Sequence, residues 1–212
     1  MNRYAEEQLP KGYKEMDITR LIIVAVGGQG NLLASKVLGE AALLSGVPVR
    51  MSEIHGMAQR GGVVESAIVF GDANSTIISD GEADVLLGFE PSETLRAMNR
   101  CSSRTRVITN LAPLPPFTVS IGRGEYPDIG AIQQLIRERT ATLTAFDALK
   151  LAKEAGSPMT MNIVLVGALI QSKALALPRE KVEQAIRNRT KEAFVEMNLK
   201  AFDLGFQAAE TA

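Results

Sequence analysis

The run Leu21-Ile-Ile-Val-Ala-Val26 constrains the fold more than any other stretch of this chain. A continuous apolar, largely β-branched segment has no polar side to turn toward water. It therefore describes a strand covered on both faces, as in a parallel sheet. Gly27-Gly-Gln-Gly30 ends the strand abruptly, and Asn31 to Leu44 then sets Leu33, Val37, Ala41 and Leu44 at helical spacing before Ser45-Gly46 stops the helix. Val47 to Met51 reads as the next strand, which completes a βαβ unit with parallel strands.

The same rhythm continues. Strand patterns cover Val63 to Phe70, Ala83 to Phe89, Val107 to Leu111 and Thr142 to Phe146. Helical patterns cover Pro91 to about Cys101, Ile129 to Arg139 and Ala148 to Ala155, while the prolines at 113, 115 and 116 demand an extended connection. From Asn162 onward the chain reads as helical, through Ile163 to Leu177, a start at Pro178-Arg-Glu-Lys, and Thr190 to Ala208. Asn162 is placed to cap the first of these helices, and Asn198, poorly suited to a helix interior, to bond across to a loop. The fold class is α/β, a doubly wound, mostly parallel sheet with flanking helices and a helical C-terminal part. Residues 1–17 lack apolar periodicity and read as a flexible arm; residues 18–212 read as a single domain.

Charge and composition exclude several functions. Lys plus Arg number 23 against 24 Asp plus Glu, so the clustered positive excess that neutralises nucleic-acid phosphates is missing. No apolar run is long enough for a membrane span, and the polar first residues do not resemble a signal peptide, so a cytoplasmic protein is expected. A single cysteine, Cys101, cannot ligate an iron-sulfur cluster by itself, and with a single histidine a structural zinc site is not expected. At helical spacing, Cys101 reads as a small buried hydrophobe.

Two stretches carry chemistry. Ser52-Glu-Ile-His-Gly-Met-Ala-Gln-Arg-Gly-Gly62 holds the only histidine, and places Gly56, Gly61 and Gly62 among Glu53, His55, Gln59 and Arg60. Glycine permits close backbone approach to a ligand or a neighbouring subunit, and the polar residues bring acceptor, proton-exchanging and fork-donor groups into one loop. A solvated surface loop, with Arg60 in a salt bridge that fixes it, is the plain alternative. The second stretch is the turn Gly27, Gly28, Gln29 and Gly30, whose backbone donors and positive helix end suit an anion such as phosphate. As a dinucleotide fingerprint it has Leu33 where the third glycine belongs, although Glu53 falls about where a ribose-binding acid would. A stand-alone dinucleotide-binding protein and a packing role for the glycines both remain open at this point.

Several segments together resemble a known family. They are Val24-Ala-Val-Gly-Gly-Gln-Gly30, Ser35 with Gly39-Glu-Ala-Ala42, Ser52 to Gly62, Gly81-Glu-Ala-Asp-Val85, Glu90-Pro, Tyr126-Pro-Asp-Ile129, Asn162 and Asn198-Leu-Lys-Ala-Phe-Asp-Leu-Gly205. In that order they are similar to the small subunit of the 2-oxoacid:ferredoxin oxidoreductases, nearest to the beta subunit of the indolepyruvate enzymes. The resemblance implies oxidative decarboxylation of a 2-oxoacid with coenzyme A, giving acyl-CoA, carbon dioxide and reduced ferredoxin. It implies that thiamine diphosphate, Mg2+ and 4Fe–4S clusters reside in a larger alpha-type partner subunit, with none bound by this chain alone and CoA as co-substrate. It also places Ser52 to Gly62 at the subunit junction, near the substrate or the CoA path. There Arg60 would pair with a carboxylate or phosphate, and His55 would exchange a proton or orient a polar partner.

Overall fold

The computed structural model describes residues 16–55 and 62–211. Six strands form one sheet in the order β2-β3-β1-β4-β5-β6. In chain order these are β1 (Thr19–Val26), β2 (Val49–His55), β3 (Val63–Phe70), β4 (Val85–Gly88), β5 (Arg106–Asn110) and β6 (Thr142–Phe146). β4, β5 and β6 follow β1 in parallel, whereas β3 is antiparallel to both of its neighbours, β1 and β2.

The insertion of β3 corrects the βαβ expectation. β1 and β2 run in the same direction but are not paired, because β3 returns between them, with Ile23 opposite Ser66 and Glu53 opposite the same Ser66 on the other side. β2 is also longer than the sequence suggested. It runs on to His55, so Ser52, Glu53 and His55 belong to a strand and not to the loop that follows.

Alternate residues of the central strands feed opposite cores. Leu21, Ile23 and Ala25 face one core with Ile68, Leu87 and Ile108, and Ile22 and Val24 face the other with Val69, Leu86 and Val107. This two-sided burial is why the β1 run carries no polar alternation. The first face is covered by α1 (Asn31–Leu44), and the second by α2 (Pro91–Arg96) with its 3-10 continuation Ala97–Arg100. A single turn, α3 (Phe117–Ser120), lies between β5 and α4 (Ile129–Arg139), and α4 brings Ile132 and Ile136 to the second core. The first core is completed by α5 (Ala148–Ala155), α6 (Met161–Gln171), α7 (Arg179–Arg189) and α8 (Val195–Thr211). The doubly wound arrangement therefore stands, with β1 leading into a helix on one face and β4 into a helix on the other.

Apart from Asn162, α6 is apolar on all sides and buried from Met161 to Ile170, as a helix enclosed by others must be. Its closest packing, against α8, is backbone to backbone. A Cβ at Gly205 would collide with the Val164 carbonyl, and one at Gly167 with the Phe202 carbonyl. Helix limits differ from the sequence pattern where backbone hydrogen bonds decide them. α6 stops at Gln171, well before Leu177, and the last helix starts at Val195 after a short 3-10 turn at Glu192–Phe194. Asn198 bonds locally, donating at 2.8 Å to the Phe194 carbonyl of the 3-10 turn that precedes its own helix, and not across to a distant loop. The expected arm lies outside the described residues up to residue 15; the Met16 amide donates to Asp72 at 2.6 Å.

Candidate active-site cleft

Parallel strands that exchange flanking faces leave a crevice beyond their carboxyl ends, at the point where the winding reverses. Here that point lies between β1 and β4. A cleft of about 300 Å³ opens there, lined by Gly28 and Gln29 after β1, by Asn110 at the end of β5 and Ala112 to Leu114 beyond it, and by Leu149, Pro158, Met159 and Met161 from the helical side. Its walls are largely apolar. The polar side chains among them, Gln29 and Asn110, are engaged by the protein's own backbone.

Gln29 links β1 to β4. Its Oε1 accepts from the Val26 amide at 2.7 Å, and its Nε2 donates to the Phe89 carbonyl at 3.3 Å. Asn110 donates to the same carbonyl at 3.1 Å and to the Ala112 carbonyl at 3.0 Å, while its Oδ1 accepts from the Ala112 and Ala148 amides. Three strand ends are thus tied through one carbonyl by two side-chain amides. Gly28, at φ +102°, adopts a backbone conformation that side chains rarely take, and a Cβ there would project into open space.

Gly30 begins α1 at φ +83° without a side-chain cap. Its carbonyl accepts a bond of 3.0 Å from Nδ2 of Asn162, and a Cβ on Gly30 would stand 2.6 Å from that nitrogen. Asn162 is therefore not the helix cap the sequence suggested. Thr160 takes the cap position, and Asn162, one residue inside α6, clamps the glycine turn from below. This role was hidden in the sequence because 132 residues separate the two groups.

The two sequence-selected stretches come together. The Gly27 amide donates to the Gly62 carbonyl at 2.8 Å, joining the glycine turn to the end of the Ser52–Gly62 segment at the carboxyl end of β1, where β3 begins. Ser52 and Glu53 lie on β2, where Glu53 accepts from the Ser66 hydroxyl at 3.3 Å. The side chain of His55, together with Gly56, Gln59, Arg60 and Gly61, lies outside the described residues.

Beside the cleft, Glu90 follows β4 and caps α2 with a fully buried carboxylate. Its Oε2 accepts from the Ser92 hydroxyl at 2.6 Å and the Glu93 amide at 3.0 Å. Its Oε1 accepts from the Leu114 amide at 3.2 Å and from the Tyr126 hydroxyl. Burial, followed by the adjoining Glu90 carboxylate, pushes the Tyr126 phenol up, so it remains a donor. Neighbouring Glu93 is also raised, chiefly by burial, and one of its oxygens has no hydrogen-bond partner.

Comparison with known proteins decides the family. Residues 20–208 match the profile described as pyruvate ferredoxin/flavodoxin oxidoreductase. The chain belongs to that family. The indolepyruvate oxidoreductase subunit IorB of Pyrococcus horikoshii is 44% identical over 192 residues, spanning 90% of this chain and 95% of the relative. The IorB subunit of Thermococcus kodakarensis is 42% identical over the same shares of both chains. The keto/oxoacid ferredoxin oxidoreductase gamma subunit of Geobacter sulfurreducens superposes with a TM-score of 0.68 at 26% identity, covering 92% of this chain and 99% of that one. The chain is thus a subunit of a 2-oxoacid:ferredoxin oxidoreductase, and the stand-alone dinucleotide-binding alternative is not supported. The sheet gives the physical reason. A ribose-binding acid must stand on the strand beside the glycine turn, and β3 displaces Glu53 by a further strand spacing, to about 10 Å from β1.

The residues of this chain do not fit the redox groups the family implies. One cysteine is too few for a 4Fe–4S cluster, and among the described residues no three His, Cys, Asp or Glu side chains are grouped to hold a metal. No helix among the described residues is long and apolar enough to cross a membrane.

Proposed function

We propose that this chain is the small subunit of a cytoplasmic 2-oxoacid:ferredoxin oxidoreductase of the indolepyruvate class, and that its cleft and Ser52–Gly62 segment line the co-substrate side of the junction with a larger subunit. The observation that supports it best is the likeness to IorB subunits over 90% of this chain and 95% of theirs. Thiamine diphosphate with Mg2+, held by the large subunit together with 4Fe–4S clusters, supplies carbanion stabilisation, and ferredoxin takes up the electrons.

This chain's own residues bind and position. The apolar cleft suits the pantetheine arm of CoA, which offers mostly methylene and amide surface. In the glycine turn the Gly27 and Gln29 amides are bound to the Gly62 and Val26 carbonyls, so an anionic phosphate would meet chiefly the positive end of α1. Arg60 pairs with a CoA phosphate or the substrate carboxylate through two parallel hydrogen bonds, and His55 exchanges a proton with a polar group at the junction. The bond from Gly27 to Gly62 supports this reading, since it ties the end of the Ser52–Gly62 stretch to the turn whose Gly28 and Gln29 line the cleft.

The test is anaerobic reduction of ferredoxin or a dye by this chain alone, its large partner alone, and both together, with CoA and a panel of aryl, branched and small 2-oxoacids. Activity confined to the mixture, with indolepyruvate preferred, is the expected result. A cofactor-loaded complex that reduces no acceptor with any oxoacid would refute the assignment. In the active complex, Arg60→Ala is expected to raise the apparent requirement for CoA or the oxoacid; unchanged kinetics would remove Arg60 from the site.

A further inference from the structure

The cleft wall at Pro113 and Leu114 belongs to the segment Pro113-Leu114-Pro115-Pro116, which is short of backbone donors. Proline carries no amide hydrogen, so Leu114 supplies the only backbone donor in these four residues. That donor is bound to Glu90 at 3.2 Å. Leu114 itself lines the cleft and is 47% exposed, so packing alone does not immobilise it.

Glu90 is more than a helix cap needs. Capping α2 occupies Oε2, through Ser92 and Glu93, and an aspartate or serine does that work as well. The longer glutamate carries a second oxygen outward to Leu114 and Tyr126, residues 24 and 36 positions away. All four of these donors are neutral, and the carboxylate has no exposure to water. Tyr126 is itself aligned by the Ser92 amide, which donates to its hydroxyl at 3.2 Å. The arrangement is a closed bracket between the end of β4, the proline segment and the approach to α4.

We propose that Glu90 and Tyr126 are positioning residues that fix the Pro113–Leu114 wall of the cleft and so set the affinity for the CoA arm, without touching it. The inference rests on the reading that the cleft takes CoA. Glu90→Asp separates its two duties, since aspartate retains the charge and the N-cap but is one methylene too short to reach Leu114 and Tyr126. Tyr126→Phe removes one hydroxyl and preserves the ring's packing.

In the assembled, cofactor-loaded complex, both variants are expected to raise the apparent KM for CoA about five- to tenfold, the scale of one typical net hydrogen bond. The kcat at saturating CoA and the KM for the 2-oxoacid stay within twofold. A purely structural role predicts a lower melting temperature with KM for CoA unmoved, and that outcome in both variants refutes the proposal. Ala112→Leu, which extends a cleft-lining side chain, tests the underlying reading separately. If it raises the KM for CoA while Glu90→Asp and Tyr126→Phe do not, the positioning role fails and the cleft reading survives. If all three leave the KM for CoA unchanged, the cleft reading fails and the inference with it.

Discussion

Gly30→Ala tests the junction on which the cleft depends. At φ +83° an alanine pays for a left-handed backbone, about 1–2 kcal/mol. Its Cβ would lie 2.6 Å from Nδ2 of Asn162, so the amide must move. Movement sacrifices the 3.0 Å bond to the Gly30 carbonyl and disturbs the 2.9 Å bond from the Ile163 amide, at about 1 kcal/mol for a typical net hydrogen bond. With residual crowding in a buried site the total is about 3–4 kcal/mol. Equilibrium urea unfolding of the purified chain, followed by far-ultraviolet circular dichroism, measures it. The double variant Gly30→Ala, Asn162→Ala keeps the backbone strain but removes the collision. It should be more stable than the sum of the single losses predicts by about 1–2 kcal/mol. A Gly30→Ala cost below about 1 kcal/mol, or strict additivity, would refute the argument that Asn162 and Gly30 are in direct steric and hydrogen-bonded contact.

Gly205→Ala should destabilise the chain by at least about 3 kcal/mol, since its methyl group meets the Val164 backbone and not a movable side chain, whereas Gly46→Ala, at φ +69° with open space around it, should cost about 1 kcal/mol in the same assay. Burial pushes the Cys101 thiol up from 9.0 to about 11, so the folded state holds this proton more tightly than the unfolded chain. The resulting stability is fully present below the unfolded value and is lost as pH rises through about 9 to 11, by up to about 3 kcal/mol. Unfolding curves of Cys101→Ala should lack that component, and iodoacetamide should modify native Cys101 slowly at pH 8, while rapid modification would show that the thiol is not shielded.

Local chemistry made much of this protein legible. The unbroken apolar run of β1 announced a strand with two covered faces, Gly27 to Gly30 announced a sharp strand-to-helix turn, and Pro91 announced a helix start, because each depends on residues adjacent in the chain. The strand after α1 was equally visible, but not where it would pair. Pairing is decided by which edge buries the alternating face of β3, and that face packs on residues far away in sequence. The Ser52–Gly62 stretch and the glycine turn could each be selected from composition; their connection through Gly27 and Gly62 could not.

The cleft shows the same division. Its apolar lining comes from four separate parts of the chain, and its tethers, Gln29 and Asn110, meet at the Phe89 carbonyl. An asparagine ending the buried strand Val107 to Asn110 was the one available signal, since an amide at the rim of an apolar strand needs partners. Glu90 and Tyr126 stood within the motifs that revealed the family without a role that could be assigned to them, and Asn162 stood there with a helix-cap role that its bond to Gly30 overturned. The sequence by itself determined an α/β sheet wound on both faces, the glycine turn and the family, because hydrophobic periodicity and short motifs are local properties. The tertiary structure decided the place of β3, the clamp of Asn162 on Gly30 and the bracket of Glu90 with Leu114 and Tyr126. Those depend on directional hydrogen bonds between groups that only the packed sheet and helices bring within 3 Å or so of one another.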